Sequence, residues 1–214
     1  MGKRVRPDGS IEYGGLYWAL ALPIVVIPAF LAIVTGLLRW ASRRSDGNWT
    51  TLLPGVILGL AAWTLFEYAF HRWLLHHTRY RLLRELFWKR LHAEHHGYSR
   101  MRDLEHRAVH PLITFPVVGV LVGGVGLATA SAWGPAILAG WLLGYALYEA
   151  LHWLFHSGEP FSGLGRVSVV RRLWEAHTAH HLQEITANYG FITMFWDRRF
   201  GTYRPLAPAR LERG

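Results

Sequence analysis

Between Pro111 and Tyr148 the chain runs for 38 residues without a charged side chain. A stretch that long, as helix, extends roughly 57 Å, nearly twice a bilayer hydrocarbon core of about 30 Å. It therefore predicts two membrane crossings, joined by a turn near Ser131-Ala-Trp-Gly-Pro135, where Ser, Gly and Pro interrupt the apolar run. Leu16 to Leu38 adds 23 uncharged residues and predicts a first crossing, too long for the core of a signal peptide. Asn48 to Phe66 predicts a second, and its apolar character continues past Glu67 to Phe70. The fold class expected is an all-α integral membrane protein with about four transmembrane helices and a cytoplasmic helical cap. A composition of 51% hydrophobic and 17% charged residues agrees with a membrane class.

Four crossings place the N-terminus, residues 71–110 and residues 152–214 on one side and residues 39–47 on the other. Twenty Lys and Arg fall on the first side and three (Arg39, Arg43, Arg44) on the second. The excess puts the first side in the cytoplasm. It also accounts for the net charge of +9, so attraction to an anionic membrane surface suffices and nucleic acid is not expected as a partner. Residues 1–15 read as a cytoplasmic tail, 16–204 as the membrane domain, and 205–214 as a frayed tail. Residues 158–165, with Pro160 among them, read as a loop. Arg far outnumbers Lys (Lys3 and Lys89 only), which with abundant Ala, Gly and Leu suggests a GC-rich bacterial genome and hence the cytoplasmic membrane, with the endoplasmic reticulum as the alternative.

Ten of the 13 histidines form four clusters beside these apolar segments: His71 and His76 (HxxxxH), His92, His95 and His96 (HxxHH), His152 and His156 (HxxxH), and His177, His180 and His181 (HxxHH). Residues three and four apart share a helix face, so each HxxHH is expected to present three imidazoles toward one point and HxxxH two. Five residues rotate an ideal helix by about 140° from the start, so His71 and His76 converge only where the helix ends or distorts. The chain has no Cys, so a metal must rely on imidazole and carboxylate. Ten imidazoles suit two ions of about five ligands each, each with one octahedral position open, whereas structural zinc wants four and a closed shell. Spacing alone admits iron, zinc or manganese. The rival reading is a set of solvated interfacial histidines, which accounts for one HxxxH but poorly for four clusters. His77, His106 and His110 stand outside the clusters. Glu67 and Glu149 sit at membrane depth, where ionisable groups are functional by default; they are expected to accept a hydrogen bond from a ligand histidine's free ring N–H. Glu94 and Glu175 serve either that role or a solvated face.

These boxes, together with Trp63-Thr-Leu-Phe-Glu-Tyr-Ala-Phe before His71, Gly144-Tyr-Ala-Leu-Tyr148-Glu before the third box and Tyr189-Gly-Phe-Ile-Thr-Met-Phe-Trp196-Asp197 leading to Phe200-Gly-Thr, resemble the fatty acid hydroxylase superfamily from about Trp63 to Thr202. HxxxxH first and HxxxH third place the resemblance nearest the fatty acid and ceramide 2-hydroxylases. Carotenoid hydroxylases typically carry HxxxxH third, and sterol desaturases HxxxH first. The resemblance implies metal ligation by His71, His76, His92, His95, His96, His152, His156, His177, His180 and His181. It implies two iron ions, with zinc as the alternative in a purified form, and O2-dependent hydroxylation of a lipid acyl chain from the bilayer at carbon 2. Relatives often carry a fused cytochrome b5 domain, and 15 residues before Leu16 are too few for one. A separate electron-transfer protein, cytochrome b5-like or ferredoxin-like, is therefore expected. Trp63, Phe66, Phe70, Trp141, Tyr145 and Phe155 are candidate lining for the acyl chain, and Arg72, Arg166 or Arg172 for its carboxylate or headgroup. Glu149 stands where relatives commonly have Asp. The rival functions are a superfamily enzyme of a sterol, carotenoid or other lipid, and a non-enzymatic membrane protein that stores, senses or carries metal. Transport would favour ligands near the bilayer midplane and repeated halves, which this pattern lacks.

Overall fold

The computed structural model describes residues 3–5, 11–13, 23–85, 88, 92, 96, 124, 131–156 and 167–207. An antiparallel pair, β1 (Lys3–Val5) and β2 (Ile11–Tyr13), is followed by helices α1 (Pro23–Arg44), α2 (Trp49–Ala69), α3 (Trp133–His156), α4 (Ser168–Leu182) and α5 (Phe195–Arg199). A π-helical segment, Phe70–His76, continues α2 directly, and a single turn follows at Arg81–Leu83. The β pair is an element that an all-α reading with a plain tail does not contain. The alternation of Ile-Glu-Tyr, with the turn residues Pro7-Asp8-Gly9 between the two strands, is the local signal for it.

Two stretches among the described residues, Val25–Arg44 and Leu52–His76, are long and apolar enough to cross a membrane. They correspond to the first two crossings expected from sequence. Of the 38-residue uncharged stretch, α3 occupies the second part and starts at Trp133, within the expected turn; residues 111–123 and 125–130 lie outside the described residues, as do 16–22 and 158–165.

The chain divides into two compact units, Met1–Trp63 with Met101–Trp153, and Thr64–Arg100 with Leu154–Gly214. In the first, α2 and α3 approach backbone to backbone. A Cβ on Gly59 would sit 1.9 Å from the Ile137 carbonyl oxygen, and one on Gly140 would sit 2.0 Å from that of Val56. Only residues without side chains permit that approach, a packing mode that suits helices in lipid. Ala41, Leu52 and Ala136 are buried together with Val56 against them. The rings of Trp63, Trp141 and Tyr145 meet edge to face, and Phe30 packs on Tyr145. Leu31, Leu53, Ile57 and Leu58 turn outward and are exposed. An apolar outer surface on apolar helices is what a lipid solvent requires.

The second unit is organised differently. Its residues 187–207 are mostly irregular, and several of their backbone groups are satisfied by buried polar side chains. Asp197 is fully buried and accepts hydrogen bonds from the N–H groups of Tyr189 and Gly190 (both 2.7 Å) and from the Thr202 hydroxyl (2.8 Å). Burial raises its pKa above the usual carboxylate value, and those three donors oppose the rise. The C-terminal tail is not frayed where it begins: Ala207 is bonded through both its N–H and its carbonyl to the Gln183 side-chain amide, at 2.9 and 3.0 Å. A primary amide carries both a donor and an acceptor and can pin one residue this way. Residues 208–214 lie outside the described residues.

Candidate metal centre

The π-helical segment solves the geometric problem posed by HxxxxH. The His77 N–H bonds to the Arg72 carbonyl at 3.0 Å, an i→i+5 bond. Widening the turn brings residues five apart onto one face, and such segments recur at functional sites. The Nε2 atoms of His71 and His76 are accordingly 3.1 Å apart. This is the distortion that the spacing of the first box calls for.

Five histidines, from the first, second and fourth boxes, converge there. One ring nitrogen from each of His71, His76, His92, His96 and His180 lies within 4.8 Å of all the others. The Nε2–Nε2 separations are 3.1 Å for His71 to His92, 2.9 Å for His92 to His76, 2.9 Å for His96 to His92 and 3.2 Å for His180 to His96. Two nitrogens each about 2.1 Å from one ion, at right angles to each other, lie about 3.0 Å apart. The separations therefore match ligands around a shared cation.

Proton bookkeeping supports the same reading. The Nδ1 of His71 donates to the Tyr189 carbonyl at 2.8 Å and that of His180 to the Ala187 carbonyl at 2.6 Å. A carbonyl only accepts, so in each neutral ring the proton sits on Nδ1 and Nε2 presents a lone pair to the cluster. Lone pairs facing one another repel unless a cation lies between them. Burial, then the neighbouring His71 and His156, lowers the His96 pKa to about 3. Burial, followed by His71 and His96, lowers that of His180, with the Ala187 carbonyl opposing. Both rings are neutral at pH 7, the form that binds metal.

A second group starts from α3 and α4, where His156 and His177 bring their Nε2 atoms to 2.9 Å. His181 lies 4.4 Å from His177, 5.0 Å from His156 and 4.4 Å from His96, ring centre to ring centre. The last box thus does not aim three imidazoles at one point, as its spacing suggested. Three residues rotate a helix by about 300°, not a full turn, and His180 joins the first group while His177 joins the second. His152 is buried one turn ahead of His156 on α3, and the Tyr148 ring stacks on it at 5.2 Å. His95, His106, His110, Glu94 and Arg166 lie outside the described residues. His77 is exposed and bonds to the Tyr189 hydroxyl at 2.6 Å.

The carboxylates have identifiable partners. Glu67 is buried and its Oε1 accepts the N–H groups of Phe191 and, at 3.1 Å, Ile192. Glu149, also buried, accepts the Tyr145 hydroxyl at 2.7 Å. Glu175 pairs with Arg171 at 3.7 Å on the exposed side of α4. Of the candidate lining residues, Trp63, Trp141 and Tyr145 pack on one another. Phe66 packs on Phe70 at 5.5 Å, and Phe155 lies on His177 and Phe191 at 5.7 and 5.3 Å. Arg72 donates to the Tyr68 hydroxyl at 2.7 Å and faces the rings of Trp73 and Tyr189. Arg172 is exposed on α4.

Sequence reasoning missed the 187–190 turn as a source of acceptors for the histidines. The signals were present: Asn188, at φ 54°, occupies the left-handed region in which Asn is enriched, and Ala-Asn-Tyr-Gly reads as a turn.

The comparisons with known proteins agree with this geometry. The fatty acid hydroxylase family matches residues 56–202, which contain every histidine described above. The chain belongs to the fatty acid hydroxylase family. Its relatives include the dihydroceramide fatty acyl 2-hydroxylase FAH1 of Arabidopsis thaliana, 26% identical, with 92% of this chain and 77% of that protein aligned. The fatty acid 2-hydroxylase of Homo sapiens is 32% identical over 74% of this chain and 42% of its own length. This family member thus spans less than half of the human protein. The solved structure of full-length Scs7p, with its hydroxylase domain visible, superposes with a TM-score of 0.69 at 26% identity, covering 94% of this chain and 76% of that one.

Proposed function

We propose that this member of the fatty acid hydroxylase family is a membrane-bound lipid hydroxylase that inserts one oxygen atom of O2 at carbon 2 of an acyl chain. The observation that carries the reading is the convergence of five imidazole nitrogens, two of them with their lone pairs fixed inward by backbone carbonyls. The 2-hydroxylase names of the relatives supply the reaction and the position on the chain.

His71, His76, His92, His96 and His180 would hold one ion. His156 and His177 would contribute to a second, with His95, His152 and His181 completing the ten ligands. Iron bound by these rings supplies the capacity to reduce O2 with electrons from a donor protein and to break an aliphatic C–H bond. The chain's own contribution is placement and dryness. Phe155 and Phe191 cover His177 with apolar rings, which keeps bulk water from that face. Glu67 holds Phe191 there through its backbone N–H. Neutral His96 and His180 need no deprotonation before taking up metal.

In this reading the chain crosses the membrane four times, and its histidines face the cytoplasm under a helical cap. The distribution of basic residues supports that orientation. The substrate enters from the bilayer, and a separate cytochrome b5-like or ferredoxin-like protein supplies electrons. A bacterial cytoplasmic membrane fits the composition, and the endoplasmic reticulum is the alternative.

The test is lipid mass spectrometry on cells expressing the wild type or His180→Ala under 18O2, with a competent donor and metal content measured on the same preparations. A hydroxy-acyl species carrying one 18O, present with the wild type and absent with the variant, is expected. A hydroxylated sterol or carotenoid instead would move the assignment to another lipid. Bound metal with no 18O product in any lipid would favour a metal-handling protein.

A further inference from the structure

The first histidine group is held in register by atoms that no histidine pattern includes. Of its five rings, His71 and His180 have their orientation set from behind, each by a backbone carbonyl, and those two carbonyls are two residues apart in the chain, on Tyr189 and Ala187. Carbonyls on an irregular segment point wherever the segment is fixed, so whatever fixes residues 187–190 also aims two Nε2 lone pairs.

Two buried polar side chains do that. Asp197 receives the N–H of Tyr189 on Oδ1 and that of Gly190 on Oδ2, both at 2.7 Å. The peptide plane whose oxygen accepts from His71 joins Tyr189 to Gly190, so Asp197 grips its N–H end while His71 occupies its carbonyl end. Asn188 uses all of its amide. Its Nδ2 donates to the carbonyls of Ala176 (3.1 Å) and Arg204 (2.8 Å), and its Oδ1 accepts the Arg204 N–H at 2.8 Å. Its own N–H, part of the peptide plane that carries the Ala187 oxygen, donates to the Thr202 carbonyl at 2.9 Å. Thr202 in turn gives its hydroxyl proton to Asp197 and its N–H to the Asp197 carbonyl at 2.8 Å. Gly190 leaves room for the arrangement: a Cβ there would lie 2.3 Å from the Thr193 carbonyl oxygen and 2.7 Å from Asp197 Oδ2.

We infer that Asp197 and Asn188 are positioning residues of the metal centre, acting through the Tyr189 and Ala187 carbonyls to fix the tautomer and direction of His71 and His180. The inference rests on the metal-binding reading proposed above. A partner that fixes a ligand histidine from behind typically changes metal affinity 10–100-fold, and here one turn serves two ligands at once. Asp197→Asn preserves shape but sets an amide NH2 against one of the two backbone N–H groups, whichever way it turns. Asn188→Gly keeps the left-handed backbone and removes only the side-chain amide bonds.

The experiment measures metal bound per chain, and the chelator concentration that removes half of it, for detergent-purified wild type, Asp197→Asn, Asn188→Gly and Gln183→Ala, alongside the melting temperature of each before and after metal removal. Gln183 pins Ala207 and touches neither carbonyl, so its variant reports a purely structural loosening of the same C-terminal segment. The expected result is a 10–100-fold weaker hold on one equivalent of metal in Asp197→Asn and a smaller loss in Asn188→Gly. The melting increment that metal confers should shrink in both and stay at its wild-type value in Gln183→Ala. Wild-type metal retention in Asp197→Asn, or an equal fall of melting temperature with and without metal, would overturn the inference. If Asp197→Asn does not fold, Asn188→Gly alone decides it by the same two readouts. A wild type that binds no metal would instead defeat the reading on which the inference stands.

Discussion

The two units of the chain bury their interiors by opposite means. In the first, Gly59 and Gly140 bring two helix backbones into contact, and the space around them is filled by Trp63, Trp141, Tyr145 and small apolar side chains. In the second, histidines, Asp197, Asn188 and Glu67 are buried, and each of the last three answers backbone groups of an irregular segment. The first kind of interior is sensitive above all to added volume, although it also buries Glu149 and His152 on α3. The second is sensitive to protons and metal, because its groups are stable only while neutral, bonded or ligated. Apolar packing orders the first unit, and buried polar side chains order the irregular segment of the second.

The largest effect that would break this contrast is steric. Gly59→Leu places a branched side chain where even a Cβ lies within 1.9 Å of a backbone oxygen. Overpacking of a tight core costs typically about 1–3 kcal/mol and occasionally more, and here all three nearest atoms, on Ile137 and Trp141, are backbone. Loss of the folded protein from detergent extracts is expected, and added metal should not restore it. A variant that purifies with wild-type yield and melting temperature would mean that the two helices separate easily.

Next in size is His180→Ala, which removes one of five converging nitrogens and leaves the Ala187 carbonyl buried without its donor. Hydroxylation should fall by at least about 100-fold, in line with loss of a metal-linked group, while the melting temperature without metal changes by only a few degrees. Activity within tenfold of wild type would show that the group tolerates four ligands and would weaken the claim that the polar unit sets the chemistry.

Much of this was legible in the sequence, and the reason is chemical type. Uncharged runs located α1 and α2, because a charge inside lipid is costly and its absence is therefore informative. The boxes located the histidines that meet, since imidazole repeated at three and four residues has few other uses. The need for a helix distortion between His71 and His76 followed from a rotation angle, and a π-helical segment meets it. What stayed hidden depends on tertiary placement. Sharing of the last box between two groups requires knowing where His96 and His156 lie, and the role of Tyr189 and Ala187 belongs to their main chain, which carries no residue-specific signal. Asp197 sits in an aromatic segment and looks like an ordinary surface acid until its burial is known.

Acid sharpens the contrast further. His96 and His180 have pKa values held below the ordinary value of about 6.5, His96 at about 3. Between the folded and unfolded values the unfolded chain binds more protons, so stability rises with pH in that window and is lost as pH falls from about 6.5 toward 3. The slope approaches about 1.4 kcal/mol per pH unit for each such histidine. The metal-free protein should therefore melt at a nearly constant temperature above pH 7.5 and progressively lower below 6.5. Metal should leave over the same range, since ligation requires neutral rings. Melting curves from pH 5 to 8, with and without metal, check this, and a flat melting temperature between pH 5 and 7 would contradict it.

The smallest effect separates the two histidine groups from each other. Glu67 fixes the N–H groups of Phe191 and Ile192, and the Phe191 ring lies 4.7 Å from His177. Asp197, six residues further along, serves the turn behind His71 and His180 instead. Glu67→Gln keeps an oxygen acceptor but trades a charge-assisted hydrogen bond for a neutral one, a loss of about 1 kcal/mol. The expected outcome is a melting temperature lower by a few degrees and a change in metal retention confined to the ion near His177, leaving the other equivalent as tightly held as in the wild type. A chelator titration resolves the two equivalents. Equal weakening of both would mean that residues 187–197 move as one body, and that the two groups share a single support.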